Sequence, residues 1–493
     1  MQERKNEMKF QMTVAGLFAA GALSAAVQLP ALFSDHAVLA RKANVPVFGK
    51  ADPGEKVVVT FNGQTAETAA GADGRWRVAL DLSKSPEGPF ELKVNERTIR
   101  DVLVGEVWLC SGQSNMAFVM SRAIGLEDEL KAPPGKRLRC FLLRNDASAE
   151  PLETSQGRWV SAEGAGLKAF PAVGYFFGKG LLKNGVGPVG LIRSVQGGSK
   201  IESWMSESSL KNLVPDAKEQ VAKRKPKAKP FRLPLMMFNA RINPLIPCRL
   251  SGVIWYQGES NTGAPENYSD LFRAMIRDWR QRFEDPELPF FWCNLPGFRP
   301  RSADPAEDAN WARLRDTQTA ALDLPHTGQA VLIDTGEAGD IHPRDKRLAG
   351  TRLAALALNR VYGQKRPDCG PAVDKILRDG SRLRITFRDA AGGLKAAPVP
   401  ETYDIKTKEG KTGKTLRNSP NTQLEGFALR GADGQWHWAE KAVIDGDTVV
   451  VSSAKVPAPT GVKYAWQNNP CCNLYNGAGF PAVPFKCETV KAP

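Results

Sequence analysis

The sequence predicts an α/β protein in which a parallel sheet, covered by helices on both faces, is flanked by two β-sandwiches. Short β-like runs broken by turns fill the first hundred residues. Apolar strands alternating with amphipathic segments follow, and β-like runs return toward the C-terminus. At 493 residues the chain exceeds the size at which one hydrophobic core keeps growing, so two or three domains are expected. Hydrophobic residues at 42% and charged residues at 24% lie near the averages for soluble globular proteins, which argues against a disordered or membrane-embedded chain.

Residues 1–26 carry Arg4, Lys5 and Lys9, then the apolar run Met12 to Ala22, then Ser24-Ala25-Ala26. That order reads as a signal peptide, and a secreted or periplasmic protein is expected. No later run reaches the roughly 18 apolar residues needed to span a bilayer, so no transmembrane segment is expected.

Residues 27–100 are read as the N-terminal β-sandwich. The run Lys56 to Phe61 is followed by the turn Asn62-Gly63, and Trp76 to Leu80 follows the turn Asp73-Gly74. Residues 101–368 are read as the catalytic domain, with strands Val102 to Cys110, Val189 to Val195, Gly252 to Tyr256, Phe290 to Asn294 and Ala330 to Asp334. The amphipathic segments Tyr268 to Phe283 and Trp311 to Leu322 lie between them. Strands alternating with helices imply a parallel sheet buried on both faces. Residues 369–493 are read as the C-terminal β-sandwich, with strands Arg382 to Phe387, Gly426 to Arg430, Trp436 to Ala439 and Thr448 to Ser452. Lys406 to Lys414 is charged and is read as a long loop.

The formal net charge is +14, and the densest basic run is Lys223 to Lys229. It holds a proline and no aromatic residue on which a base could stack, so it is read as a solvated loop and no nucleic-acid partner is expected. Eight cysteines occur without C-x-x-C pairs or histidines at ligand spacing, so neither a metal nor another cofactor is expected. Cys369, Cys471, Cys472 and Cys487 cluster late enough to cross-link a terminal domain, although pairing is not readable from spacing.

Ligands of an open parallel sheet sit beyond the carboxyl ends of its strands. Ser111-Gly112-Gln113-Ser114-Asn115-Met116 directly follows the strand ending at Cys110. A serine on such a turn exposes its hydroxyl, while nearby N–H groups offer oxyanion donors. Met116 stands where the α/β-hydrolase elbow would have its second glycine. A serine nucleophile needs a neutral imidazole as base, and there are only four histidines. His36 and His437 fall in the β regions and His326 precedes a strand, at the wrong end of the sheet. That leaves His342, with Asp340 two residues earlier to hold its ring. Trp255-Tyr256-Gln257-Gly258-Glu259-Ser260-Asn261 follows another strand, and buried amides beside aromatics suggest a lined cleft, with a helix cap as the plainer alternative. Gln196-Gly197-Gly198-Ser199 offers unobstructed N–H groups after a third strand.

Together these segments resemble the sialate O-acetylesterase-like family of the SGNH (GDSL) hydrolases. The likeness extends to Gly105-Glu106-Val107-Trp108, Asp340-Ile341-His342-Pro343, Tyr464-Ala465-Trp466 and Asn473-Leu474-Tyr475-Asn476. The resemblance implies a flavodoxin-like catalytic sheet and metal-free deacetylation of an acetylated carbohydrate, with Ser114 as nucleophile and His342 as base. It also implies an oxyanion hole from the N–H of Ser114, the N–H of Gly198 and the Gln257 side chain. Asp340 is the expected partner of His342, and Glu259 is the alternative. An esterase acting on plant or algal polysaccharide such as xylan or pectin, and a glycan-binding protein without catalysis, are the competing readings.

Overall fold

One strand of 16 residues, Arg97–Gly112 (β1), organises the molecule. The structure, a computed structural model, describes residues 27–225, 227–397 and 423–490, together with the backbone of Asp404–Lys406 and Thr412–Lys414. The signal-peptide reading of residues 1–26 lies outside the described residues.

Around β1 the strands Gly135–Leu143 (β2), Gly157–Ala162 (β3), Val189–Val195 (β4), Gly252–Tyr256 (β5), Phe290–Cys293 (β6) and Thr327–Ala330 (β7) form a sheet in the order β7-β6-β5-β1-β4-β2-β3. All neighbours run parallel except β3, which pairs antiparallel with β2 on the edge. The fold is therefore mixed α/β with a large, mostly parallel central sheet.

Helices cover both faces because the parallel strands are apolar on both. Ala172–Lys183 (α1) and Arg347–Arg360 (α4) share one core with Trp108 and Cys110 of β1. Tyr268–Arg282 (α2) and Asn310–Thr319 (α3) share the opposite core with Leu109, which points the other way from its neighbours. A Cβ on Gly350 of α4 would lie 2.5 Å from the Phe176 Cβ of α1, so glycine permits the close approach of these two helices.

The N-terminal half of β1 also belongs to a smaller antiparallel arrangement. It pairs with Phe90–Val94, which pairs with Lys56–Phe61 and through it with Gln64–Ala69, while Val45–Lys50 and Arg75–Leu80 form a separate ladder. Residues 100 and 101, the expected domain edge, thus fall inside one continuous strand. Trp76 is 3% exposed and packs in the core.

Toward the C-terminus two four-stranded antiparallel sheets face a common core. One has Ala372–Asp379, Arg382–Arg388, Thr448–Ser452 and Lys441–Asp445, and the other has Trp436–Trp438, Phe427–Arg430, Gly461–Tyr464 and Phe485–Cys487. The charged stretch expected as one long loop contains a short ladder, Asp404–Lys406 with Thr412–Lys414, while residues 407–411 lie outside the described residues. Cys110, Cys140, Cys248, Cys293, Cys369, Cys471 and Cys487 are free thiols. Among the described residues no helix is long and apolar enough to cross a membrane.

Candidate active site

The central strand β1 has β4 and β2 on one side and β5, β6 and β7 on the other, so its carboxyl end faces a topological switch point. Gly112 closes β1 with φ +128, and a Cβ there would lie 2.2 Å from the Tyr256 carbonyl oxygen. Only glycine permits so close an approach of β1 to the end of β5. The Gln113 N–H donates to that same carbonyl at 2.9 Å, and the chain then enters a single helical turn, Ser114–Ala117. Ser114 stands half-buried at its first position.

Two loops close around this turn. From β4, the Gln196 N–H donates to the Gly112 carbonyl at 3.0 Å, and a Cβ on Gly197 would lie 3.5 Å from the Ser114 Cβ. Gly198 has φ +73. Among the described residues, neither the N–H of Ser114 nor that of Gly198 has a hydrogen-bond acceptor. Two unengaged donors beside a serine are the raw material of an oxyanion hole. From β5, the Gly258 and Ser260 N–H groups donate to the Gln113 side-chain oxygen at 3.4 and 3.2 Å.

Gln257 departs from its expected part. Its side-chain Nε2 donates to the Ser199 carbonyl at 3.2 Å and to Asn261 Oδ1 at 2.7 Å, and its Oε1 accepts from the Tyr268 hydroxyl at 2.8 Å. An amide has two hydrogens, and both are engaged, so the fully buried Gln257 braces the Gly198–Ser199 turn rather than offering a donor to an oxyanion.

His342 follows β7 on a loop that returns to Ser114. The Asn115 Nδ2 donates to the Ile341 carbonyl at 3.0 Å, joining the residue after the serine to the residue before the histidine. Asp340 Oδ1 accepts from the His342 N–H at 2.8 Å and lies 3.4 Å from its Nδ1, so Asp340 is the carboxylate beside the ring. Burial holds the His342 pKa below the ordinary imidazole value; Asp340 opposes this, and the charges of Lys346 and Arg122 add to it. A neutral imidazole at neutral pH is what a general base requires. Of the other histidines, His326 sits at the amino end of the sheet, where its carbonyl accepts from Phe290, and His36 pairs with Asp101.

Two residues that sequence reasoning passed over complete the arrangement. Asn115, fully buried, accepts from the Lys346 ammonium at 2.5 Å and donates to Glu259 at 2.5 Å. Lys346, 1% exposed, lies over the rings of Phe118 at 5.0 Å and Tyr256 at 5.6 Å. Burial pushes the Lys346 pKa down to about 8 and the Glu259 pKa up, while the charge of each opposes the shift of the other. Glu259 therefore reaches the His342 loop through Asn115. Asn115 carried a signal in sequence, an amide beside the candidate nucleophile on an apolar turn; Lys346 carried none, because its burial comes from rings distant along the chain.

The late motif Asn473-Leu474-Tyr475-Asn476 supports the same loop from outside. The Tyr475 hydroxyl donates to Asp334 at 2.9 Å, and Arg352 of α4 holds Asp334 with two bonds of 2.6 Å. Arg315 of α3 donates to the carbonyls of Gln467 and Asn468, and Phe298 donates its N–H to Asn468.

The family model described as carbohydrate esterase, sialic acid-specific acetylesterase, matches residues 104–343. Sialate O-acetylesterase of Homo sapiens is 28% identical over 514 residues, covering 92% of this chain and 90% of that protein. The Mus musculus enzyme of the same name is 27% identical over 517 residues, covering 89% and 90%. A solved structure of a carbohydrate acetylesterase from Xanthomonas citri is 36% identical with a TM-score of 0.81, covering 94% of this chain and 100% of that one.

Proposed function

We propose, because this chain belongs to the sialic acid-specific acetylesterase family of carbohydrate esterases, that it hydrolyses O-acetyl esters on a sugar through an acetyl-serine intermediate. The observation that supports this most is the Asn115–Ile341 hydrogen bond, which holds the Ser114 turn and the His342 loop together at the carboxyl end of the central strand.

Ser114 Oγ attacks the acetyl carbonyl carbon while His342 takes its proton. The ring nitrogen that acts is Nε2, since Nδ1 faces Asp340. Asp340 fixes the ring and favours the imidazolium that forms. The N–H groups of Ser114 and Gly198 receive the tetrahedral oxyanion; His342 returns the proton to the departing sugar oxygen, and acetyl-serine remains. Water, deprotonated by the same imidazole, then releases acetate and restores Ser114.

The chain is further read as a flavodoxin-like catalytic domain of residues 101–368 between β-sandwiches of residues 27–100 and 369–493. The paired ladders on either side of the central sheet support that reading. Export through residues 1–26, to the periplasm or beyond, rests on the basic and apolar order of that segment.

A second reading, an esterase acting on plant or algal polysaccharide of the xylan or pectin type, is kept open by the 36% identity to the Xanthomonas citri protein, a carbohydrate acetylesterase whose sugar is not specified. Acetate release from O-acetylated sialic acid and from acetylated xylan, each beside a Ser114→Ala control, separates these readings. Acetate release by wild type but not by Ser114→Ala is the expected result; equal release by both would remove Ser114 from the mechanism, and release by neither would favour a glycan-binding protein.

A further inference from the structure

A cavity of about 1030 Å³ adjoins the N-terminal ladder, and none of the residues placed at the Ser114 site lines it. One wall is the ladder itself, at residues 48–50 and 75–77; another is the segment that leads into β3, residues 153–157. Residues 28–31 tie these walls together. Gln28 bonds Lys50 through both its N–H and its carbonyl, at 2.8 and 2.9 Å, and the Ala31 N–H donates to the Ser155 carbonyl at 3.2 Å.

Each wall carries a buried polar side chain with nothing to bond. Trp76 and Ser155 are each 3% exposed, and the indole N–H of one and the hydroxyl of the other have no partner among the described residues. The Trp76 ring packs in the core, yet its N–H edge stands at the cavity wall. A Cβ on Gly49, itself a lining residue, would lie 3.2 Å from Cε2, the ring carbon bonded to Nε1. Buried polar groups are nearly always paired, and one left alone costs stability. Two of them lining one cavity mark a site whose partner the chain itself does not supply.

An ion-pair strap closes the two walls. Glu153, two residues before Ser155, pairs with Lys50 and Arg75, the neighbours of Gly49 and Trp76. All three side chains are 41% or more exposed, where ion pairs contribute little, so the strap parts at small cost. These pairs also bear on the kind of ligand. Of the four cationic side chains in the lining, Lys50 and Arg75 are held by Glu153, and Arg77 is held by Glu284 with two bonds of 3.0 Å. Most of the wall's charge is thereby neutralised, which disfavours an anion. The two free donors, the Gln156 amide and the apolar surfaces of Leu29, Phe48 and Ile246 remain, a mixture suited to the hydroxyls and C–H faces of a sugar ring.

We propose that this cavity is a second, non-catalytic glycan-binding site, in which oxygens of a neutral sugar unit accept from the Trp76 indole and the Ser155 hydroxyl. The choice of a glycan as ligand rests on the carbohydrate esterase reading above; the presence of a site does not.

Calorimetry on Ser114→Ala, with xylohexaose and with sialyllactose as probes, reads binding without turnover and separates two sources of such a sugar unit. At least one probe is expected to bind, and adding Ser155→Ala or Trp76→Phe is expected to weaken it by about tenfold, the scale of one hydrogen bond. Ser155→Ala is also expected to keep or raise the Tm of its parent, because it deletes a hydroxyl that has no partner in the empty cavity; a serine that served only the fold would lower it. With Ser114 intact, neither substitution is expected to change hydrolysis of p-nitrophenyl acetate. Binding that both substitutions leave untouched belongs to the catalytic cleft alone, and that result, or no binding of either probe, would overturn the proposal. Failure of the wild type to hydrolyse p-nitrophenyl acetate would instead count against the esterase reading, while the calorimetry still reads the cavity.

Discussion

Lys346 donates its ammonium to the Asn115 side-chain oxygen at 2.5 Å, and Asn115 passes hydrogen bonds on to Glu259 and to the Ile341 carbonyl. Both N–H groups of the Asn115 amide and one lone pair of its oxygen are thereby engaged, which fixes its orientation. A buried cation on one side and a carboxylate on the other polarise the amide, which strengthens the bond to the His342 loop.

Replacing Asn115 with Ala removes these bonds and leaves three buried groups unsatisfied. The expected outcome is a loss of about 2–5 kcal/mol in urea-induced unfolding, since each unsatisfied group costs about 1–3 kcal/mol and partial relaxation recovers some of it. Turnover is expected to fall by about 100-fold as the Ser114 turn and the His342 loop lose their register, a scale set by misplacement of about 1 Å. Unchanged kcat in folded Asn115→Ala would show that the two loops hold their places without it.

The pH profile carries a second prediction. His342 must be neutral to act, and burial, Lys346 and Arg122 depress its pKa while Asp340 raises it. Activity is therefore retained to a lower pH than an ordinary imidazole, near 6.5, would allow. Lys346→Met removes one of the depressing charges, so the imidazolium becomes easier to form. The acid limb of kcat/KM is expected to move to higher pH, while a limb that stays in place would mean that Lys346 is not felt at the base.

Gln257 and Gly198 are expected to separate by their signatures. Gln257→Ala removes the brace under Ser199 and Asn261, and its main expected effect is a stability loss of about 1–3 kcal/mol in urea. Gly198→Ala strains a position at φ +73 and disturbs an N–H free to meet the oxyanion. Its kcat is expected to fall by about 100- to 1000-fold, the scale of one lost oxyanion donor. A comparable kcat loss in Gln257→Ala would return Gln257 to the oxyanion hole.

Tyr475→Phe removes only the hydroxyl that reaches Asp334 from the C-terminal sheets. About 1 kcal/mol of stability is expected to be lost. Acetate release at limiting substrate checks whether this outer support also steadies the His342 loop, and a severalfold reduction is expected.

The parallel sheet was largely legible because its strands are short apolar runs ended by turn residues. β4 and β5 begin and end where their apolar runs do, and α2 follows the amphipathic run from Tyr268 to one residue short of Phe283. β7 was misplaced for a specific reason. Val331, Leu332 and Ile333 are buried and apolar, yet the ladder ends at Ala330, and the Leu332 N–H turns to the Asn294 side chain. β2 escaped notice because it opens with Lys136, Arg137 and Arg139. Arg139 is 1% exposed only because Asp101, far away in sequence, receives its guanidinium. α1 contains Gly174, Gly178 and Gly180, which weaken a helix taken alone, and its packing against α4 overrides that penalty. Ser114, Gly198 and His342 were visible as residues after strand-like runs, whereas the Lys346–Glu259 pairing depends on contacts that spacing does not encode.

The continuity of β1 has a mechanical consequence. Arg97 hydrogen-bonds within the N-terminal ladder and Gly112 abuts the serine turn, and between them the strand bulges at Arg100 and Asp101, where Asp101 takes φ +56. The outer strands and the nucleophile are still joined by this one strand, and a fragment cut at residue 101 would begin at its fifth residue, with its upstream edge bare and prone to self-association.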